Sequence, residues 1–215
     1  MRILAPHHDD ALLSLPATLL DRAEPIEVIV CFSDESDELT ATCDALHREL
    51  RVEVTSLGLP EAVRRGVSLR QCLRPLRELR EVDADPMLDD LAARLRALPD
   101  DDRLWVAPLL PTHVDHALTR AAAERARPAQ LAYYEDQPYA IMHGDLRDRL
   151  RAPLRPERAA PPAPASTISG VLTRLRSFVG DKQIARLEAT YANDGYAERL
   201  WFPHAQNPEP RRTSP

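Results

Sequence analysis

The sequence predicts an α/β protein with a Rossmann-like three-layer fold: a mostly parallel sheet with helices on both faces. Three observations lead there. Short apolar runs alternate with longer stretches of helical spacing, the pattern of βαβ units. The run "IEVIVCF" (26–32) is apolar and rich in β-branched residues, which suits a strand buried on both faces. Two polar clusters, "PHHDD" (6–10) and "PTHVDH" (111–116), each follow an apolar run directly. In an open parallel sheet, ligands bind beyond the carboxyl ends of the strands.

Taken in chain order, residues 3–5 open a strand and residues 11–22 carry helically spaced leucines. Residues 26–32 read as a strand, 39–50 as a helix, 52–59 as a strand and 86–98 as a helix. A strand at 103–109, a helix at 114–127 and a strand at 130–135 complete the regular alternation. The stretch "APLRPERAAPPAPA" (152–165) is too proline-dense for a regular element, since each proline removes a backbone donor. It reads as a surface linker or mobile loop, with a lid over a site as the alternative. Helical patterns at 169–191 and a last strand in "YAERLWF" (196–202) follow.

At 215 residues the chain suits one sizeable domain better than two. We assign residues 1–202 to that domain and 203–215 to a flexible tail. No apolar run approaches the roughly 18 residues of a membrane span, so no membrane partner is expected. The start, Met-Arg-Ile-Leu-Ala, runs into a strand without a signal-peptide layout, and a cytoplasmic location is expected. A net charge of −6 argues against a nucleic-acid partner, because phosphate binding needs a basic footprint. Cys31, Cys43 and Cys72 show no CxxC spacing and read as reduced thiols. Oligomeric state is not legible.

The chemistry sits in the two clusters. His7 and Asp10 are three apart, as are His113 and His116. On the first turn of a helix that spacing puts two side chains on one face. Imidazole and carboxylate together suit zinc or a similar divalent ion, and catalytic zinc takes three protein ligands plus an open position for water.

"APHHDDALLS" followed by "PTHVDH" resembles the paired motifs of the PIG-L/LmbE-like zinc deacetylases, PHxDD and HxDH. The likeness in order and spacing runs from the first strand to about Tyr139, with "VCFSDES" and "LGLPEA" standing where that family has its second and third strand ends. The resemblance implies one Zn²⁺ per chain, held by His7, Asp10 and His116. It implies Asp9 as general base and His113 as the group that stabilises the oxyanion, as an imidazolium, or protonates the leaving amine. It gives Asp115 the task of holding a histidine in place. The substrate it implies is a small-molecule N-acyl amine, either an N-acetylated sugar or another amide on a specialised metabolite. Two positions depart from the family. The small Gly-Gly pair that opens its first helix is replaced by Ser14-Leu15-Pro16, and position 8 carries a histidine, read as pointing away from the metal.

Other stretches are open to two readings. Glu61, Arg64 and Arg65 in "LPEAVRRG" offer groups for substrate hydroxyls or an anion, or else form a solvated turn. Glu135 and Asp136 in "YYEDQPYA" stand beside rings suited to a sugar face, unless Asp136 only stabilises a turn before Pro138. His47, among Arg and Glu on a helical stretch, reads as solvated. Two rival functions remain: a catalytically silent small-molecule-binding module on the same fold, and a receiver-like Mg²⁺-binding signalling domain. The second needs an aspartate after the third strand, where the chain supplies Glu61, and it leaves "PTHVDH" unexplained.

Overall fold

A computed structural model describes residues 1–21, 25–33, 38–72, 82–99, 102–126, 128–158, 164–193 and 198–204. It is an α/β fold with a seven-stranded sheet in the order β3-β2-β1-β4-β5-β7-β6. The strands are β1 (Arg2–Ala5), β2 (Glu27–Phe32), β3 (Glu53–Leu59), β4 (Trp105–Pro108), β5 (Leu131–Tyr134), β6 (Leu154–Arg158) and β7 (Arg199–Pro203). The first five run parallel, and β7 enters antiparallel between β5 and β6. Strand order reverses between β1 and β4. That pair is the topological switch point, where loops diverge and leave a crevice for a ligand.

The strand residues alternate between two cores, as a two-residue side-chain period requires. Ile3, Ala5, Val28, Val30, Val106, Ala132 and Tyr134 face one core. Leu4, Ile29, Cys31, Trp105, Ala107 and Tyr133 face the other. The first core is covered by α1 (Asp10–Ser14), α2 (Pro16–Leu20), α3 (Glu38–Leu50), α9 (Ala165–Arg174) and α11 (Asp181–Asn193). The second is covered chiefly by α5 (Pro86–Arg96) and α6 (Val114–Ala126), with α7 (Tyr139–Met142) and α8 (Gly144–Arg151) beside them. Two short helices, α4 (Leu69–Cys72) and α10 (Arg176–Val179), complete the described set. No described helix is long and apolar enough to cross a membrane.

Two elements differ from expectation. The helix expected over 11–22 is broken at Leu15 (φ −133°, ψ 40°), because a residue before proline is driven out of the helical region. The stretch at 152–165 is not all loop: β6 occupies 154–158 and α9 begins at Ala165. Pro156 is tolerated because β6 is an edge strand paired only with β7, so one side of it needs no donor. Most of the tail lies outside the described residues.

Candidate metal centre

Both polar clusters meet at the switch point. After β1 the chain turns through His7, and Asp10 opens α1. The His7 backbone N–H donates to Asp10 Oδ2 at 2.7 Å, which folds the carboxylate back over the turn. After β4, His113 precedes α6, and its carbonyl accepts the Ala117 N–H at 3.0 Å. Asp115 and His116 then share the first turn of α6. The three imidazoles form a triangle, with ring centroids 5.1 Å (His7–His113), 5.5 Å (His7–His116) and 5.6 Å (His113–His116) apart.

Two overlapping groups in this cluster could hold a metal ion: His7, Asp10 and His116, or His7, His113 and Asp115. Hydrogen bonding separates them. Asp115 is fully buried and its oxygens are committed. Oδ1 accepts from Arg65 Nη2 at 2.8 Å, while Oδ2 accepts from Ala62 N–H at 2.9 Å and faces His7 Nε2 at 3.1 Å. In the first group the oxygens of Asp10 lie 3.3 Å from both His7 Nδ1 and His116 Nε2. His116 Nδ1 is held by Asp136 Oδ1 at 2.9 Å, and its buried Nε2 has no hydrogen-bond partner. An orphaned imidazole nitrogen beside a carboxylate, with its other nitrogen tied to a second carboxylate, suits a metal-ligating histidine. The donors present therefore fit a divalent ion on His7, Asp10 and His116.

The electrostatics point the same way. Burial alone would lower the pKa of His7, but hydrogen bonds to Asp10 and Asp115 raise it well above the ordinary histidine value. Burial also works against a charged His116, yet the Asp10 carboxylate overrides it and lifts the ring to about 9. Asp10 is held well below the usual carboxylate range, burial being outweighed by the neighbouring His116 and His7 imidazoles. The cluster is thus rich in anionic oxygens that call for compensating positive charge. Asp9 behaves differently: burial, and then the charge of Asp10, push it up to about 6. Burial, followed by repulsion from His116 and His7, draws His113 down to about 3. A ring held that low is neutral near pH 7. Its Nδ1 accepts the Asp115 N–H at 3.2 Å, leaving the ring proton on Nε2.

Asp136, expected to face a substrate or a turn, is fully buried behind His116 and also accepts the Leu110 N–H at 2.7 Å. Glu135 pairs with Arg151 at 2.9 Å on the α8 side. Arg65, expected at a substrate, turns inward to Asp115. Glu61 is half-buried and Arg64 exposed on the same turn. His8 points away from the metal cluster, as expected. It faces Asp44 at 3.4 Å and, with Thr40, His47 and Ser56, lines a cavity of about 450 Å³. His47 is not solvated but 1 % exposed, and burial with the charge of His8 brings it down to about 4. Ser14, at the departure from Gly-Gly, accepts the Gln137 N–H at 3.0 Å and ties α1 to the segment after β5. Tyr139, which carries no local signal of a site role, sets its ring edge against His116 with centroids 5.0 Å apart.

Comparison with protein-family models, with curated proteins and with solved structures finds no match to this chain.

Proposed function

We propose that the chain is a zinc-dependent amide hydrolase of the PIG-L/LmbE-like kind, removing an N-acyl group from a small-molecule amine. The observation that carries this reading is the set of His7, Asp10 and His116 at the switch point. A fourth polar group, Asp9, stands half-buried beside them at the start of α1 and makes no side-chain cap hydrogen bond. Zinc in such a set supplies Lewis acidity and lowers the pKa of water towards about 7.

The chain's own residues account for the proton movements. Asp9, raised to about 6, is ionised near pH 7 yet basic enough to take a proton from the attacking water and to hand it to the leaving amine as the C–N bond breaks. His113 offers a neutral Nε2–H to the carbonyl oxygen as negative charge develops there. Asp115 and Asp136 hold His7 and His116 by their outer nitrogens. An N-acetylated amino sugar is the first substrate class to try, because the PHxDD and HxDH motifs are those of the deacetylase family the sequence resembles.

The test is metal analysis of the purified chain, followed by acetate release from a panel of N-acetyl amines. The expected result is about one zinc per chain, lost to chelators and reduced in His116→Ala, with zinc-dependent acetate release. Unchanged zinc content in both His7→Ala and His116→Ala would overturn the site. Zinc binding without amide hydrolysis on any of the panel would leave a binding module.

A further inference from the structure

The stretch "LPEAVRRG" has a use in the fold that contact with a substrate does not explain. After β3 the chain makes one helical turn over residues 62–66, closed by the Val67 N–H to the Ala62 carbonyl at 3.0 Å and by Gly66 at φ 84°. A positive φ there admits glycine at little cost. Two groups of this turn reach Asp115: the Ala62 N–H, and Arg65 Nη2. The other arm of the guanidinium, Nη1, donates to the Pro60 carbonyl at 2.6 Å, and its carbon lies 5.0 Å from the centroid of the buried Phe32 ring. Arg65 is thus fixed at three places, and its side chain is only 12 % exposed.

We infer that Arg65 is a positioning residue for the metal centre: it holds Asp115 so that Asp115 holds His7 by Nε2, which leaves His7 Nδ1 for the ion. This rests on the reading of His7, Asp10 and His116 as the zinc ligands. Without the guanidinium, Asp115 keeps the Ala62 N–H on Oδ2 but loses its partner on Oδ1. The carboxylate can then swing about its last torsion, and the His7 ring is free to turn with it. A lysine keeps the charge but gathers its donors on one nitrogen in place of a planar fork, so it does not reproduce the separate Nη1 and Nη2 contacts. Changes to residues that orient metal ligands cost about 10–100-fold in metal affinity, and that is the size expected here.

The experiment measures zinc affinity by competition with a chelating dye for the wild-type chain, Arg65→Met, Arg65→Lys and the exposed Arg70→Met. The thermal midpoint of each metal-free chain is measured alongside. Arg65→Met should bind zinc about 10–100-fold more weakly, Arg65→Lys should fall between, and Arg70→Met should match wild type. In the zinc-loaded wild-type chain, nitrogen NMR should place the His7 proton on Nε2, and that signal should broaden or shift in Arg65→Met. Wild-type zinc affinity in Arg65→Met, with only the thermal midpoint lowered, makes Arg65 a structural residue and overturns the inference alone. A wild-type chain that takes up no zinc overturns both the inference and the metal reading beneath it.

Discussion

His7 and His116 reach the crevice from opposite sides of the switch point, each backed by a buried carboxylate, but the two carboxylates are held differently. Asp115, behind His7, is neutralised by Arg65 and also takes a backbone N–H from Ala62. Asp136, behind His116, has a backbone N–H from Leu110 and, among the described residues, no cation other than the histidine itself. The difference shows in their acidity. Burial would raise both, but His7 and Arg65 draw Asp115 well below the usual range, whereas burial wins at Asp136 and its pKa is raised. Two histidines with the same proposed task therefore sit on supports of unequal strength. The His116 side depends more fully on the histidine's own hydrogen bond.

The largest effect lies in front of these supports, in the adjacent pair Asp9 and Asp10. A carboxylate committed to the ion makes a poor base, and a free one beside it can accept a proton during attack. Asp9→Asn should keep its zinc and lose roughly 10²–10⁴-fold in kcat, the scale of general acid–base catalysis. Asp10→Asn should bind zinc weakly, with activity partly restored by excess metal. Metal content and turnover measured on the same two proteins decide it. Loss of zinc in Asp9→Asn with retention in Asp10→Asn would reverse the roles.

Next in size is the direct test of the two supports. In Asp115→Asn the amide oxygen can stand where Oδ2 stood and still accept from Ala62 and His7. Its NH₂ then opposes the Arg65 Nη2 donor, but that donor ends a long side chain, 12 % exposed, that can turn away. In Asp136→Asn no such arrangement exists. Both oxygens face buried donors, Leu110 N–H and His116 Nδ1–H, so the NH₂ must oppose one of them, and an unsatisfied buried pair is costly. Asp136→Asn should weaken zinc binding towards the upper end of the roughly 10–100-fold range for such partners, and Asp115→Asn towards the lower. Equal losses in a chelator competition would break the comparison.

How far the sequence reached follows the same division. The parallel strands and both polar clusters were legible because apolar runs and strand-end polar residues are local signals. The alternation puts both clusters on one edge of the sheet; that β1 and β4 are neighbours, which brings His7, Asp10 and His116 together, is set by the tertiary fold. Of the partners, the resemblance gave Asp115 as the holder of a histidine; that the histidine is His7, and the part played by Asp136 and Arg65, were not legible. Nothing local tells Asp136, beside Glu135 and before Pro138, that it will be buried behind a histidine 20 residues earlier. Arg65 and Arg64 are adjacent arginines in a polar turn, and only the tertiary fold turns one inward. His47 looked solvated because its neighbours are charged, yet its position on α3 places it among Cys43, Leu46 and Leu50 on the buried face. The edge strand β6 was hidden by its proline.

The smallest effect concerns a third buried carboxylate, outside the metal cluster, which shows what happens when every partner among the described residues is neutral. Glu198 sits before β7 and accepts three neutral donors: the Ala17 N–H at 2.6 Å, the Thr18 N–H at 2.7 Å and the Thr18 hydroxyl at 2.5 Å. Burial outweighs these hydrogen bonds and raises it from 4.5 to about 7. The folded chain therefore holds a proton there that the unfolded chain has released between those two values. Linkage sets the sign: stability from this group is fully present below about pH 4.5 and is lost as pH rises through about 7. The difference in unfolding free energy between wild type and Glu198→Gln should accordingly shift against wild type between about pH 5 and about pH 8. The glutamine variant cannot titrate at this position, so subtracting its profile removes what every other group contributes. Urea unfolding of the metal-free proteins across that range measures the difference. A flat difference curve would mean that three neutral donors stabilise a buried carboxylate as well as Arg65 stabilises Asp115, and the contrast drawn between the two supports of the metal centre would lose its physical basis.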